Sequence, residues 1–129
     1  MRSYHLTLGN GRLALEASVC RTQGGIAVYL YGGDRPHIGS TVLAEPRTSL
    51  TGGGVSCTSG VMNLCGHKDE LLARPLAELL CKRFLVPVNV CAGVHLDGAA
   101  EDELSILQNE LKELGQMLMV RLAEEEEKV

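Results

Sequence analysis

The sequence predicts an α+β domain in which a mostly antiparallel sheet, in the order β-β-β-β-β-α-β-α, carries two helices packed on one face. Three observations lead there. Apolar and polar residues alternate through the first half of the chain, the period of strands with one buried face. After Asp69 the apolar residues recur every three or four positions, the period of a helix face, and strands first with helices late is the α+β pattern. The third is length: 129 residues give room for one core and not for two. A chain of this size buries about two-thirds of its unfolded surface, so it needs neither disulfides nor a metal to hold together. Residues 1–123 are expected to form the single domain and residues 124–129 an acidic tail.

The elements follow in order. Tyr4, Leu6 and Leu8 alternate with His5 and Thr7; Gly9-Asn10-Gly11 tolerates the positive φ of a tight turn; Leu13, Leu15, Ala17 and Val19 then resume the period of two, which makes a hairpin. A third strand runs from Ile26 to Tyr31 and stops at Gly32-Gly33-Asp34-Arg35-Pro36. A fourth is expected from His37 to Ala44, and Gly52-Gly53-Gly54 separates it, as a hairpin tip, from a fifth around Val55 to Leu64. From Asp69, Leu72, Leu76, Leu79, Leu80 and Phe84 mark one helix face, with Lys82 and Arg83 in the last turn where cations suit the dipole. Pro75 removes a backbone donor, so this helix either starts near Arg74 or is bent in its first turns. Val86 to Leu96 is apolar enough for a central strand, and Glu101-Asp102-Glu103 opens a second helix. In that helix Leu104, Leu107, Leu111, Leu114 and Leu118 form a heptad seam, which packs on the protein's own sheet or meets a second copy of itself. Ile106 and Met117 widen its apolar surface, so both readings can hold together.

Charge and composition remove several function classes. Twelve basic against sixteen acidic side chains leave a net charge of -4, and Glu124 to Glu127 supply four of the acids. With no basic excess and only three tyrosines and one phenylalanine, the chain has neither the electrostatic footprint nor the stacking platforms of a nucleic-acid binder. No stretch approaches 18 apolar residues and Met1-Arg-Ser-Tyr-His leads straight into the alternating pattern, so a cytoplasmic protein without a membrane span is expected. Five cysteines, an odd number with no C-x-x-C pair, argue against a disulfide framework or a zinc ribbon; most are expected as small buried apolar residues.

Two places carry chemistry. His67-Lys68-Asp69 and His95-Leu96-Asp97 repeat the spacing H-x-D at strand-to-helix junctions. Positions i and i+2 of a strand share a side, so each pair can aim an imidazole and a carboxylate at one point, a donor set for Zn, Mn or Fe. Each aspartate has a rival role as a helix N-cap. If the two strands neighbour each other in parallel, both junctions lie along one edge of the sheet. The second place is Gly32-Gly33-Asp34-Arg35-Pro36-His37. Turn chemistry explains its glycines, aspartate and proline; an arginine there is suited to holding phosphate or carboxylate through its planar fork, and His37 adds a further ligand.

With Gly32-Gly33-Asp34-Arg35-Pro36-His37-Ile38-Gly39, Gly66-His67-Lys68-Asp69 and Gly93-Val94-His95-Leu96-Asp97 in that order, the chain resembles, from about residue 4 to residue 118, the LpdD-like prenylated-flavin chaperones, the small D subunits associated with UbiD-type hydroxyaryl acid decarboxylases. The resemblance implies a small homodimeric α+β protein. It would bind prenylated FMN with help from a divalent metal and pass it from the flavin prenyltransferase to the apo-decarboxylase. Cofactor contacts are then expected from Asp34, Arg35, His37, Lys68 and Arg74, and metal ligation from His37, His67, Asp69, His95 and Asp97; no catalytic residue is expected. With so few aromatics, Tyr29, Tyr31 and aliphatic side chains must wall the flavin ring, with a dimer partner's help. Two other classes compete: a small metal-dependent hydrolase, which the lack of H-E-x-x-H and of a nucleophile elbow disfavours, and a structural assembly chaperone without cofactor, related in shape to proteasome-assembly chaperones.

Overall fold

The alternating first half folds as five strands, β1 (Arg2–Leu8), β2 (Leu15–Thr22), β3 (Gly25–Gly33), β4 (Ser40–Thr48) and β5 (Val55–Asn63), followed by α1 (Glu70–Phe84), β6 (Val88–His95) and α2 (Glu101–Glu127). The structure, a computed structural model, describes residues 2–64 and 69–127. The sheet order is β1-β2-β3-β6-β4-β5. The last strand in sequence is thus inserted between β3 and β4, parallel to β3 and antiparallel to β4, and the other pairings are antiparallel.

One sheet face makes the core. Leu15, Ala17 and Val19 of β2, Val28 and Leu30 of β3, Val42 of β4 and Val88, Val90 and Ala92 of β6 are all buried, against Leu76 and Leu80 of α1 and Leu107, Leu111, Leu114, Leu118 and Leu122 of α2. Both helices therefore lie on this face. The leucine seam is used up on the protein's own sheet; burying each such side chain contributes about 1.5–3 kcal/mol. Only its first member, Leu104, stays substantially exposed.

Three local expectations are decided by the structure. β4 begins at Ser40 and not at His37, because residues 34–39 are needed to cross the sheet end. α1 starts at Glu70 with Pro75 as an interior residue; the donor it lacks would have served the carbonyl of Leu71, an exposed residue. Of the described cysteines only Cys81 is buried, while Cys20, Cys57 and Cys91 are partly exposed. Cys20 and Cys91 alternate with core residues and so fall on the helix-free face. Cys65 lies outside the described residues. The acidic run continues α2 to Glu127. Arg21 fastens it to β2, 3.0 Å from Glu126 and 4.0 Å from Glu125. The triglycine is a hairpin tip, with Ser49 N donating to Gly54 O at 3.1 Å. No described helix is long and apolar enough to cross a membrane.

Candidate functional site

β3 and β4 flank β6, so the segment that joins them, residues 34–39, must pass over the end of β6. Backbone bonds hold it there: Asp34 N donates to His95 O at 2.7 Å, His37 N to Gly93 O at 3.3 Å and Gly39 N to Ala92 O at 3.0 Å. Two glycines allow the close approach. A Cβ on Gly93 would overlap the carbonyl oxygen of His37, and one on Gly39 would overlap Asp69 Oδ2. Beneath the crossing, Tyr29 is stacked on Tyr31 with centroids 4.7 Å apart and donates its hydroxyl to His37 O at 2.9 Å.

The crossing assembles two side-chain clusters. In the outer one, Arg35 Nη2 lies 2.5 Å from Asp97 Oδ1 and 3.1 Å from His95 Nε2, and His95 Nε2 lies 3.0 Å from Asp97 Oδ1. The guanidinium side chain is 69% exposed and the carboxylate 60%. The hydrogen bond from Arg35, and after it that from His95, holds the Asp97 carboxyl below its ordinary range. In the inner cluster, His37 Nε2 lies 3.2 Å from Asp69 Oδ2, its Nδ1 lies 3.0 Å from Arg35 O, and Val94 N donates to Asp69 Oδ1 at 2.9 Å. The Asp69 side chain is only 5% exposed. The two imidazole rings are 6.2 Å apart, edge to face.

Asp34 ties these clusters to the rest of the domain. Its carboxylate accepts from Asp97 N at 2.8 Å and pairs with Arg12 at 3.1 Å, while Arg12 donates to Asp97 O at 2.6 Å. Among the expected site residues, Asp34, Arg35, His37, Asp69, His95 and Asp97 thus meet at one end of the sheet. Arg74 does not join them: it donates to Ser59 Oγ at 2.9 Å and pairs with Glu70 at 3.3 Å, on the β5 side of α1. Lys68 and His67 lie outside the described residues. The rival N-cap role fails for both aspartates. Asp69 occupies the cap position of α1 but makes no side-chain cap bond. Asp97 falls short of α2, whose first turn is closed by Glu103 accepting from Ala100 N at 3.2 Å. The two junctions share an end although their strands are not neighbours: β5 and β6 are both antiparallel to the β4 between them, hence parallel to each other. Among the described residues no three His, Cys, Asp or Glu side chains converge as a metal centre requires.

Residues 9–123, which take in every member of both clusters, match the family model of the prenylated flavin chaperone LpdD-like domain. The chain belongs to this family. No curated protein matches the sequence. In fold the LpdD-like domain is similar to a chain from the crystal structure of a novel chaperone complex for yeast 20S proteasome assembly, with a TM-score of 0.57 over 95% of this chain and 96% of that one. At 17% identity that likeness is one of fold. Residue reasoning on the LpdD-like chain found the ionisable groups and missed what seats them. Gly39, Gly93, Tyr29 and Arg12 act through contacts that arise only when β6 inserts between β3 and β4. Glycine inside two histidine-bearing strings was the available signal.

Proposed function

We propose that this LpdD-like protein binds prenylated FMN and carries it from the flavin prenyltransferase to a UbiD-type decarboxylase. The observation that carries the reading is Arg35. Its guanidinium is exposed at the rim of the crossing, held by Asp97 and His95 alone among its described side-chain partners. A planar fork presented in this way suits a phosphate monoester, which competes with one carboxylate for the same donors. Asp34 sets the crossing that carries Arg35, and His37 sits within it. Lys68 and Arg74 complete the proposed contacts. Arg74 has to leave Ser59 and Glu70 to take part.

Divalent-metal assistance is the finer part of the proposal. His37 Nε2 lies 3.2 Å from Asp69 Oδ2 and its Nδ1 lies 3.0 Å from Arg35 O, which places an imidazole nitrogen and a carboxylate oxygen, both ligand types for a divalent cation, side by side. His95 and Asp97 repeat the same donor types. The pairs are separate, however, and the described residues do not by themselves form a metal centre. Proposed ligands are His37, Asp69, His95, Asp97 and His67. A homodimer completes the reading, since one subunit offers few large side chains to enclose a flavin. The leucine seam, being spent internally, lends that dimer no support.

The flavin, when bound, brings the redox and carbanion chemistry; the chain's residues grip, orient and shield it. The test is titration of the purified protein with reduced prenylated FMN before and after chelation, together with metal analysis and sedimentation. Saturable binding that weakens on chelation, in a dimer, is expected. Absence of binding by the metal-replete protein overturns the carrier role. Binding indifferent to chelation removes the metal from it, and a monomer at micromolar concentration removes the dimer.

A further inference from the structure

We propose that the cavity between the start of α1, the end of β6 and the start of α2 receives the ring end of the prenylated flavin, and that its aliphatic wall is what favours the prenylated over the plain cofactor. The inference rests on the carrier role above and adds to it where the ring goes. The cavity measures about 320 Å³ and is lined mainly by Leu71, Leu72, Val94, Leu96, Leu104 and Leu107, with Asp69, His95 and Gln108 as its polar groups. Small-molecule sites combine such an apolar wall with a few placed polar groups, at volumes from about 300 Å³ upward.

Three observations single it out. First, it shares Asp69 and His95 with the clusters around Arg35, so one molecule with an anionic end and an apolar end can engage both. Second, its mouth keeps apolar side chains in water. Leu71 is 62% and Leu104 49% exposed, although the next seam position, Leu107, is 3% exposed. The seam leaves the sheet at Leu104, and that side chain borders the cavity. Third, the aromatic residues are elsewhere. Tyr29 and Tyr31 stack on each other, Tyr4 lies under Arg121, and Phe84 is flanked by Arg21 and Arg83. The apolar part of the wall is therefore aliphatic, and an added five-carbon prenyl unit gains by leaving water against it.

The double variant Leu71→Gln/Leu104→Gln tests this. Both positions are helical and exposed, glutamine is a good helix former and the charge is unchanged, so the fold is expected to persist; its melting curve checks that, and each single variant serves if the double one melts early. Affinity for reduced prenylated FMN should fall about tenfold or more, the scale of lost apolar pocket contacts, and affinity for reduced plain FMN should fall less, so that the preference between them shrinks. Leu43→Gln, at an exposed position on the helix-free face, should change neither. Wild-type protein that binds no prenylated flavin would overturn the carrier role itself. Wild type that binds, with the double variant equally tight or with Leu43→Gln equally weakened, overturns the cavity assignment and leaves the carrier role standing.

Discussion

Asp69 and Asp97 close two copies of the same triplet, and the fold gives them opposite surroundings. Asp69 is 5% exposed and divides its oxygens between the backbone N–H of Val94 and the ring of His37. Asp97 is 60% exposed and holds the guanidinium of Arg35 in water. One carboxylate joins the start of α1 to β6 and to the crossing segment. The other holds an arginine at the exposed rim. The same spacing thus gives a buried contact at one junction and an exposed one at the other, and the cause is topology. β6 is interior and has the crossing laid over its end, while Asp97 lies past that strand in the open turn before α2.

The largest test of this contrast is deletion of each carboxylate. Asp69→Ala takes the acceptor from the part-buried Val94 N–H and removes the carboxylate beside His37, which should destabilise the fold by about 2 kcal/mol. Asp97→Ala breaks an exposed pair and should cost far less. Asp69→Asn keeps an acceptor for Val94 N and should recover much of the loss. Urea unfolding of the three variants measures the difference; equal midpoints for the two alanine variants would erase the distinction between anchor and rim.

Arg35→Lys comes next. Lysine keeps the charge and loses the fork, so stability should shift by under about 0.5 kcal/mol, while affinity for reduced prenylated FMN should fall about tenfold, the difference between bidentate and point-charge contact. Fluorescence titration reads it. Unchanged affinity in this variant and in Arg35→Ala would assign the arginine to Asp97 alone.

The fold could be read from periodicity because each strand and helix shows its buried face locally: Leu15, Ala17 and Val19 at period two, Leu107 to Leu118 at three and four. The site was only half readable. Arg35, His37, Asp69, His95 and Asp97 stand out by residue type, yet their pairing depends on β6 entering between β3 and β4, a non-local event that no window of sequence encodes. For the same reason His37 was expected to open a strand, whereas it lies in a crossing that Gly39 and Gly93 allow to lie flat. The rival readings of the seam were equally undecidable from spacing, since a leucine stripe fits its own sheet or a partner alike. What decided them was the burial of Leu111, Leu114 and Leu118 inside one chain.

The smallest effect concerns the charge on Asp97. Its carboxyl is held below the usual value of 3.8, first by the hydrogen bond from Arg35 and then by that from His95. A depressed folded value means that the unfolded chain takes up the proton first as pH falls. The pair's small contribution is therefore complete above the usual value and is lost as pH falls through the depressed one. In metal-free protein, Arg35→Ala should move the Asp97 carboxyl resonance in a carbon-detected NMR titration back toward 3.8, and His95→Ala should move it less. The reverse order would make His95 the partner that holds Asp97. No movement in either variant would mean that the rim carboxylate is solvated water-side and that its contact with Arg35 is not maintained in solution, which would leave Asp69 as the sole aspartate of the two with a fixed partner.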